Sequence, residues 1–337
     1  MGQFRRIAFL IPRKENERRR ALAPEHLPQL RNISRMFFET GYFATMGLVD
    51  EDVIRAGGHV LPREELLQLE VVCNPKAAEP EEFDCFTGRN TLFGWIHAVQ
   101  DSQMTDFLVR KCMTAIAWED MFEQGRHVFW RNNELAGEAA VIHACSLTGR
   151  SPSRMLVAVL GRGHTAHGAL RILWGLGATV HIYGRREVTS FQSKLGQYDA
   201  VVNCVLWDVF TAGRILYRRD LARMKPGSLI IDISCNHSME IESCHPTSIE
   251  DPIYVDNNVL HYCVDHTPSL LSYDATKAIG EAVIPYLDLL AEGREGESET
   301  LHHARIISEG QICDSRIKRF QTRSECPLTD ARVPPRR

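Results

Sequence analysis

Short apolar runs alternate with longer stretches of helical periodicity along most of this chain. The runs at 6–11, 36–38, 59–61, 71–73, 91–95 and 113–117 are strand candidates, and 50–56, 62–69 and 102–111 carry the helical spacing between them. Pro24 suits the first turn of one further helix. Such alternation predicts an α/β domain with a parallel-rich sheet. A long helix over 133–147 then leads into MLVAVLGRGHTAHGALRILWGLGATVHIYGRR at 155–186. Residues 155–160 are rich in Val and Leu, as suits a strand buried on both faces. Gly161 ends that strand, Ala169, Leu170, Ile172 and Leu173 give the next helix an apolar face, and 178–183 supplies a second strand after Gly175 and Gly177. Strands are also expected at 198–205, at 228–233 after the turn Lys225-Pro226-Gly227, and at 260–264.

An amphipathic helix over 273–291, with Ile279, Val283, Leu287 and Leu290, is expected to cross back and make the first domain discontinuous. Residues 292–299 form a Gly/Glu-rich connector and 301–320 one more short helical piece. The prediction is therefore two Rossmann-like domains with a cleft between them: 1–132 for substrate, 133–270 for a dinucleotide, 271–320 returning to the first, and a disordered tail at 321–337.

Composition narrows the function. A chain of 337 residues with 44% hydrophobic content can fill two cores, and its net charge of −4 argues against a nucleic-acid partner. The basic runs 18–20 and 185–186 are short and suit a small anionic ligand. Ten cysteines include no C-x-x-C pair, so neither a disulfide framework nor a metal site is read. Cys73, Cys204 and Cys263 sit in apolar runs, where thiols act as small hydrophobes. A cytoplasmic location without membrane contact is expected, because the N-terminus lacks the pattern of a signal peptide and no apolar run spans a bilayer.

The chemistry starts at the glycine turn. Gly161 and Gly163 permit a tight turn close to an anion, Arg162 and Thr165 lie within it, and Ala166 fills the third small position of G-x-G-x-x-G/A. This predicts a dinucleotide with its pyrophosphate at a helix N-terminus. The second strand ends in Tyr183-Gly184-Arg185-Arg186, where NAD sites carry a carboxylate. Two guanidiniums suit a 2′-phosphate, so NADPH is the expected cofactor; the alternative is a pair of solvated arginines beside Glu187. In the first domain, an arginine of Glu17-Arg18-Arg19-Arg20 can clamp a carboxylate, or the run can be a solvated loop. Lys76 follows a strand end and can exchange protons if partly desolvated, or simply be solvated. His97 in Gly94-Trp95-Ile96-His97 suits general acid/base work, with a structural histidine as the alternative. His164 and His167, in the nucleotide turn, are given no catalytic role.

Seven segments in this order carry a resemblance: ERRRALAP (17–24), NPKAAEP (74–80), GWIHA (94–98), VLGRGHTAHGA (159–169), KPGSLIIDIS (225–234), HPTSIEDPIY (245–254) and VDHTPSLL (264–271). Over residues 5–320 the chain resembles the superfamily of alanine dehydrogenase, transhydrogenase and saccharopine dehydrogenase, and within it the carboxyethylornithine synthase branch of opine-type condensing enzymes. The resemblance implies that Arg19 binds a keto-acid carboxylate, Lys76 contacts the keto oxygen and His97 is the acid/base, with Val205 and His266 added to the cofactor contacts. It implies a homo-oligomer and small-molecule substrates. One departure is Asn236, where these enzymes carry an aspartate near the nicotinamide. An amide cannot take a proton, and His237 or Asp265 is placed to compensate. The expected reaction is NADPH-dependent condensation of a 2-keto acid such as pyruvate with an amino-acid amine such as that of ornithine or lysine, through an imine. An alanine dehydrogenase or cyclic-imine reductase is the alternative, and a non-catalytic nucleotide-binding regulator, favoured by Asn236, is the third.

Overall fold

The computed structural model describes residues 4–208, 210–211, 213–235 and 240–323. Asn236, His237 and the chain beyond Arg323, including nearly all of the expected disordered tail, lie outside the described residues. The first sheet is built from β1 (Ile7–Phe9), β2 (Met36–Glu39), β3 (His59–Leu61), β4 (Val71–Lys76), β5 (Thr91–Trp95) and β6 (Thr114–Ala117), with helices α1 (Asp50–Arg55), α2 (Arg63–Leu66) and α3 (Ser102–Arg110) between them. These six strands are parallel in the order β3-β2-β1-β4-β5-β6. Period-two alternation sorts each strand onto two cores. Ile7 and Phe9 face one with Phe38 and Trp118, whereas Ala8 and Leu10 face the other with Val72 and Phe107.

A small hairpin, β7 (Phe122–Glu123) with β8 (Arg126–His127), precedes the linking helix α4 (Trp130–Leu147). The second sheet contains β9 (Leu156–Leu160), β10 (Thr179–Tyr183), β11 (Ala200–Asn203), β12 (Leu229–Asp232), β13 (Ile253–Asp256) and β14 (Val259–Tyr262), in the order β10-β9-β11-β12-β14-β13. Helix α5 (His164–Gly175) joins β9 to β10, and α6 (Val188–Ser193) follows. Val157 and Val159 pack under α4 and α5; Ala158 and Leu160 pack against Phe191, Leu195 and Tyr198 on the other face. Helix α7 (Ser272–Ala291) returns to the first domain, where Ile279, Val283, Leu287 and Leu290 share a core with Ile7 and Phe9. Among the described residues, no helix is long and apolar enough to cross a membrane.

Two expectations are corrected. Pro24 opens only a 3-10 helix, Pro24–Gln29, because Pro28 inside it cannot donate to an α-helical ladder. The stretch 301–320 is not one helical piece. It ends α8 (Glu299–His303), forms the antiparallel hairpin β15 (Arg305–Ser308) and β16 (Gln311–Ile312), and closes with α9 (Ser315–Phe320). β15 caps the open edge of β6 and buries Ile306 and Ile307, an outcome that depends on a sheet edge far away in sequence. Its turn, Glu309-Gly310, has both φ positive, the two-residue geometry that a right-twisted hairpin prefers. The sequence reading also missed β13, an antiparallel edge strand joined to β14 by Asn257-Asn258, again with both φ positive.

Candidate active site

In each sheet the order reverses around the first strand of its domain, β1 between β2 and β4, β9 between β10 and β11. Crevices open at the carboxyl ends of strands at such points. Lys14 and Arg19 follow β1, Lys76 ends β4 and His97 follows β5, while Asp265 and His266 follow β14; the contacts of Lys14 with Asp265 and of Glu15 with His266 turn these ends of the two domains toward one another.

The β4–β5 register explains how Lys76 and His97 come together. Asn74 pairs with Gly94, but Lys76 pairs with Trp95, so one residue, Pro75, is bulged out. Proline lacks the N–H that a regular ladder needs at this point. The bulge drives the Asn74 carbonyl oxygen toward Gly94, where a Cβ would lie 1.9 Å from it; only glycine admits that approach. His97, two residues beyond Trp95, takes φ +53°, uncommon for a residue with a side chain. The Glu119 carboxylate holds this turn by accepting the N–H groups of Ile96 at 3.2 Å and His97 at 2.6 Å.

Contacts sort the three arginines. Arg20 is buried and donates to the carbonyls of Tyr42, Arg18 and Arg19, a structural role. Arg18 is exposed. Arg19 is buried, donates from Nε at 2.9 Å and Nη2 at 2.6 Å to the Glu17 carboxylate and from Nη1 at 3.2 Å to Asn132, and lies 4.8 Å from the Trp95 ring centroid. One N–H on each Nη remains to meet a carboxylate end-on. Burial raises the Glu17 carboxyl, but the Arg19 charge and the hydrogen bonds from Arg19 and Ser269 outweigh it and hold Glu17 down at about 2.

Across the cleft Lys14 Nζ lies 2.5 Å from the Asp265 carboxylate, whose other oxygen is 2.7 Å from His266 Nδ1; His266 Nε2 lies 2.8 Å from the Glu15 carbonyl oxygen. Burial raises Asp265, yet His266, Lys76 and Lys14 hold it well below the usual carboxylate range. The Lys76 ammonium is lowered by burial, then by Lys14 and Arg19, against Asp265 and Glu17. His97 is lowered to about 3 by loss of water around it and by Lys76, Lys14 and Arg19, against Asp265. The residue as a whole is nonetheless exposed. Burial and the nearby cations both favour the neutral imidazole, which can accept a proton. Lys14, Glu17, Trp95, Asn132 and Glu119 received no role from the sequence; Glu17 opened the arginine run already singled out, whereas nothing local marked Lys14 or Glu119.

The glycine turn fits a dinucleotide. Gly161 has φ +106°, and a Cβ there would stand 2.9 Å from the Cys204 carbonyl oxygen, while the space at Gly163 is open within 4 Å. No side chain caps α5, which leaves its N-terminal amides for an anion. Thr165 and the buried Ala166 lie in its first turn, and Val205 follows β11 with its N–H donated to Asn203 at 3.2 Å. Arg185 and Arg186 are exposed, and Arg185 reaches the Leu206 carbonyl at 3.3 Å. Glu187, however, is part of the same rim: its carboxylate accepts Gly184 N–H at 2.6 Å and pairs with Arg162 at 2.7 Å.

The description "Alanine dehydrogenase/PNT, N-terminal domain" matches residues 12–130, and "Alanine dehydrogenase/PNT, C-terminal domain" matches 185–315. An N(5)-(carboxyethyl)ornithine synthase of Clostridium botulinum is 27% identical over 86% of this chain and 99% of its own length. One from Lactococcus lactis is 26% identical over 79% of this chain and 92% of its own, and alanine dehydrogenase 1 of Staphylococcus aureus is 21% identical over 91% and 94%. Among solved structures an L-alanine dehydrogenase aligns over 94% of this chain and 99% of its own with a TM-score of 0.79 at 22% identity; a transhydrogenase from Sinorhizobium meliloti gives 0.75 at 17%, over 92% and 99%. With both halves matched in order and the two-sheet architecture shared, this chain belongs to the alanine dehydrogenase/PNT family, whose members bind a nicotinamide cofactor.

Proposed function

We propose that this protein is an oxidoreductase that uses NADPH to join a 2-keto acid, pyruvate-like, to the amine of an amino acid, ornithine- or lysine-like, through an imine. The observation that carries the proposal is that the bulged β4–β5 register sets Lys76 opposite Trp95, against which Arg19 stacks, with His97 two residues on and Asp265 held by Lys14 across the cleft. In this reading Arg19, fixed by Glu17 and stacked near Trp95, takes the keto-acid carboxylate end-on, and Lys76 donates to the keto oxygen. As the amine attacks the keto carbon, His97 accepts the proton released from nitrogen. The substrate carboxylate offsets the cations around the ring, which raises His97 and lets it return that proton to the departing hydroxyl of the carbinolamine. Water leaves and the imine forms. The dinucleotide, when bound, supplies the hydride that reduces the imine carbon. Lys14, Asp265 and His266 hold the two domains in register across the reacting atoms.

Arg185 and Arg186, with Arg162 already occupied by Glu187, are the groups proposed for the 2′-phosphate. The substrates are small molecules, and a homo-oligomeric assembly belongs to the same proposal. The names of the two carboxyethylornithine synthases among its relatives favour the condensing reaction. NADPH oxidation across a matrix of 2-keto acids and amines, with product masses recorded, tests it: a secondary amine retaining both carbon skeletons is expected. Turnover with ammonia alone would make this an alanine dehydrogenase, and absence of turnover despite NADPH binding would remove the catalytic reading.

A further inference from the structure

His164 and His167 stand one turn apart at the start of α5, so both imidazoles leave the same side of the helix. Helix α4 crosses there at unusually short range: a Cβ at Gly168 would lie 1.8 Å from the Glu134 carbonyl oxygen. This brings Glu134 beside the two histidines, and one ligand atom from each of the three residues lies within 4.8 Å of the others. His164 Nδ1 is buried and has no hydrogen-bond partner among the described residues. Such an atom carries a desolvation cost that a ligand would relieve.

We propose that Glu134, His164 and His167 form a binding site for one divalent transition-metal ion, of the zinc and nickel class. Two imidazoles and a carboxylate are a recurrent three-residue ligand set for such ions, with metal–ligand bonds of about 2.0–2.2 Å. Donor atoms in a tetrahedral site lie about 3.3 Å apart, so the three ligand atoms, now within 4.8 Å of one another, draw closer when the ion binds. The exposed side of His167 leaves the remaining position to water. Glu134 already pairs with Arg131 at 2.9 Å and Arg171 at 3.1 Å. Both arginines also reach Glu138, Arg131 at 2.7 Å, so each keeps a carboxylate when Glu134 turns to the ion. Arg126, stacked 3.8 Å from the Trp130 ring centroid, adds positive charge beside His164 and sets the affinity below that of a closed structural zinc site. The site shares the first turn of α5 with the proposed dinucleotide site, and no step of the proposed reaction uses it.

The test titrates the full chain, freed of metal by chelation, with Ni²⁺, which imidazole suits and which avoids the thiolate preference of zinc. Calorimetry is paired with tryptophan fluorescence, because the Trp130 ring lies 5.7 Å from the His164 ring and a bound Ni²⁺ quenches it. One ion per chain with partial quenching is expected. His164→Ala and His167→Ala should each weaken binding by at least about tenfold, with the fold checked by circular dichroism. Replacing the exposed histidines His302 and His303 of α8, in the other domain, with Ala should leave the affinity unchanged. Absence of saturable binding by the intact chain, or equal affinity in the doubly substituted His164→Ala, His167→Ala chain, would overturn the proposal.

Discussion

Glu17→Gln isolates the charge that orients Arg19. The variant keeps nearly the same shape but leaves the Arg19 guanidinium, itself buried, without its carboxylate. The cost can be worked in two ways. Moving a carboxyl from 4.5 to about 2 on folding corresponds to about 3 kcal/mol at neutral pH. Breaking one side of a buried ion pair costs about 3–5 kcal/mol. The two agree, so Glu17→Gln should lower stability by about 3 kcal/mol at pH 7. The sign of the pH dependence follows from the lowered folded value: the stabilisation is complete above 4.5 and disappears as pH falls toward 2. The difference between wild type and variant should therefore shrink to about 1 kcal/mol by pH 3. Urea unfolding followed by near-ultraviolet circular dichroism at pH 7, 4 and 3 measures it. The keto-acid KM should rise in parallel while NADPH binding is preserved. A difference under about 1 kcal/mol at pH 7, or one constant from pH 7 to pH 3, would refute the view that the ionised carboxylate fixes Arg19.

Replacing both Arg185 and Arg186 with Asp should weaken NADPH binding far more than NADH binding; equal losses measured by fluorescence titration would assign the 2′-phosphate elsewhere. His97→Ala should bind cofactor normally and lose turnover, and in the wild type the acidic limb of kcat/KM should fall well below pH 6.5, since the surrounding cations keep the free imidazole neutral; a limb near 6.5 would contradict that environment. Gly94→Ala places a Cβ 1.9 Å from the Asn74 carbonyl oxygen and must part β4 from β5, so it should cost about 1–3 kcal/mol or more and lower kcat through Lys76 and His97. Unchanged stability and rate would show that the bulge does not set their placement.

The fold was largely legible because its signals are local. Val157 to Leu160, bounded by Gly161, reads as a strand buried on both faces, and the glycine turn followed by Ala169, Leu170 and Leu173 reads as the helix that covers it; period and punctuation lie within about 30 residues, the scale on which a βαβ unit is encoded. The elements that escaped, β13 and the β15–β16 hairpin, are edge strands whose identity depends on which sheet margin they meet. Arg19, Lys76 and His97 were marked by their positions at strand ends and by family resemblance, and the structure brings the three to one cleft with Asp265. What only the tertiary structure decided is their environment: which of three adjacent arginines turns inward, that Pro75 bulges to place Lys76 beside Trp95, that Glu119 holds His97 in a left-handed turn, and that Lys14 meets Asp265 from 251 positions away. Backbone propensity is fixed by neighbours in sequence, whereas burial, ion pairing and proton affinity are fixed by neighbours in space, and those exist only once both sheets have closed on one another.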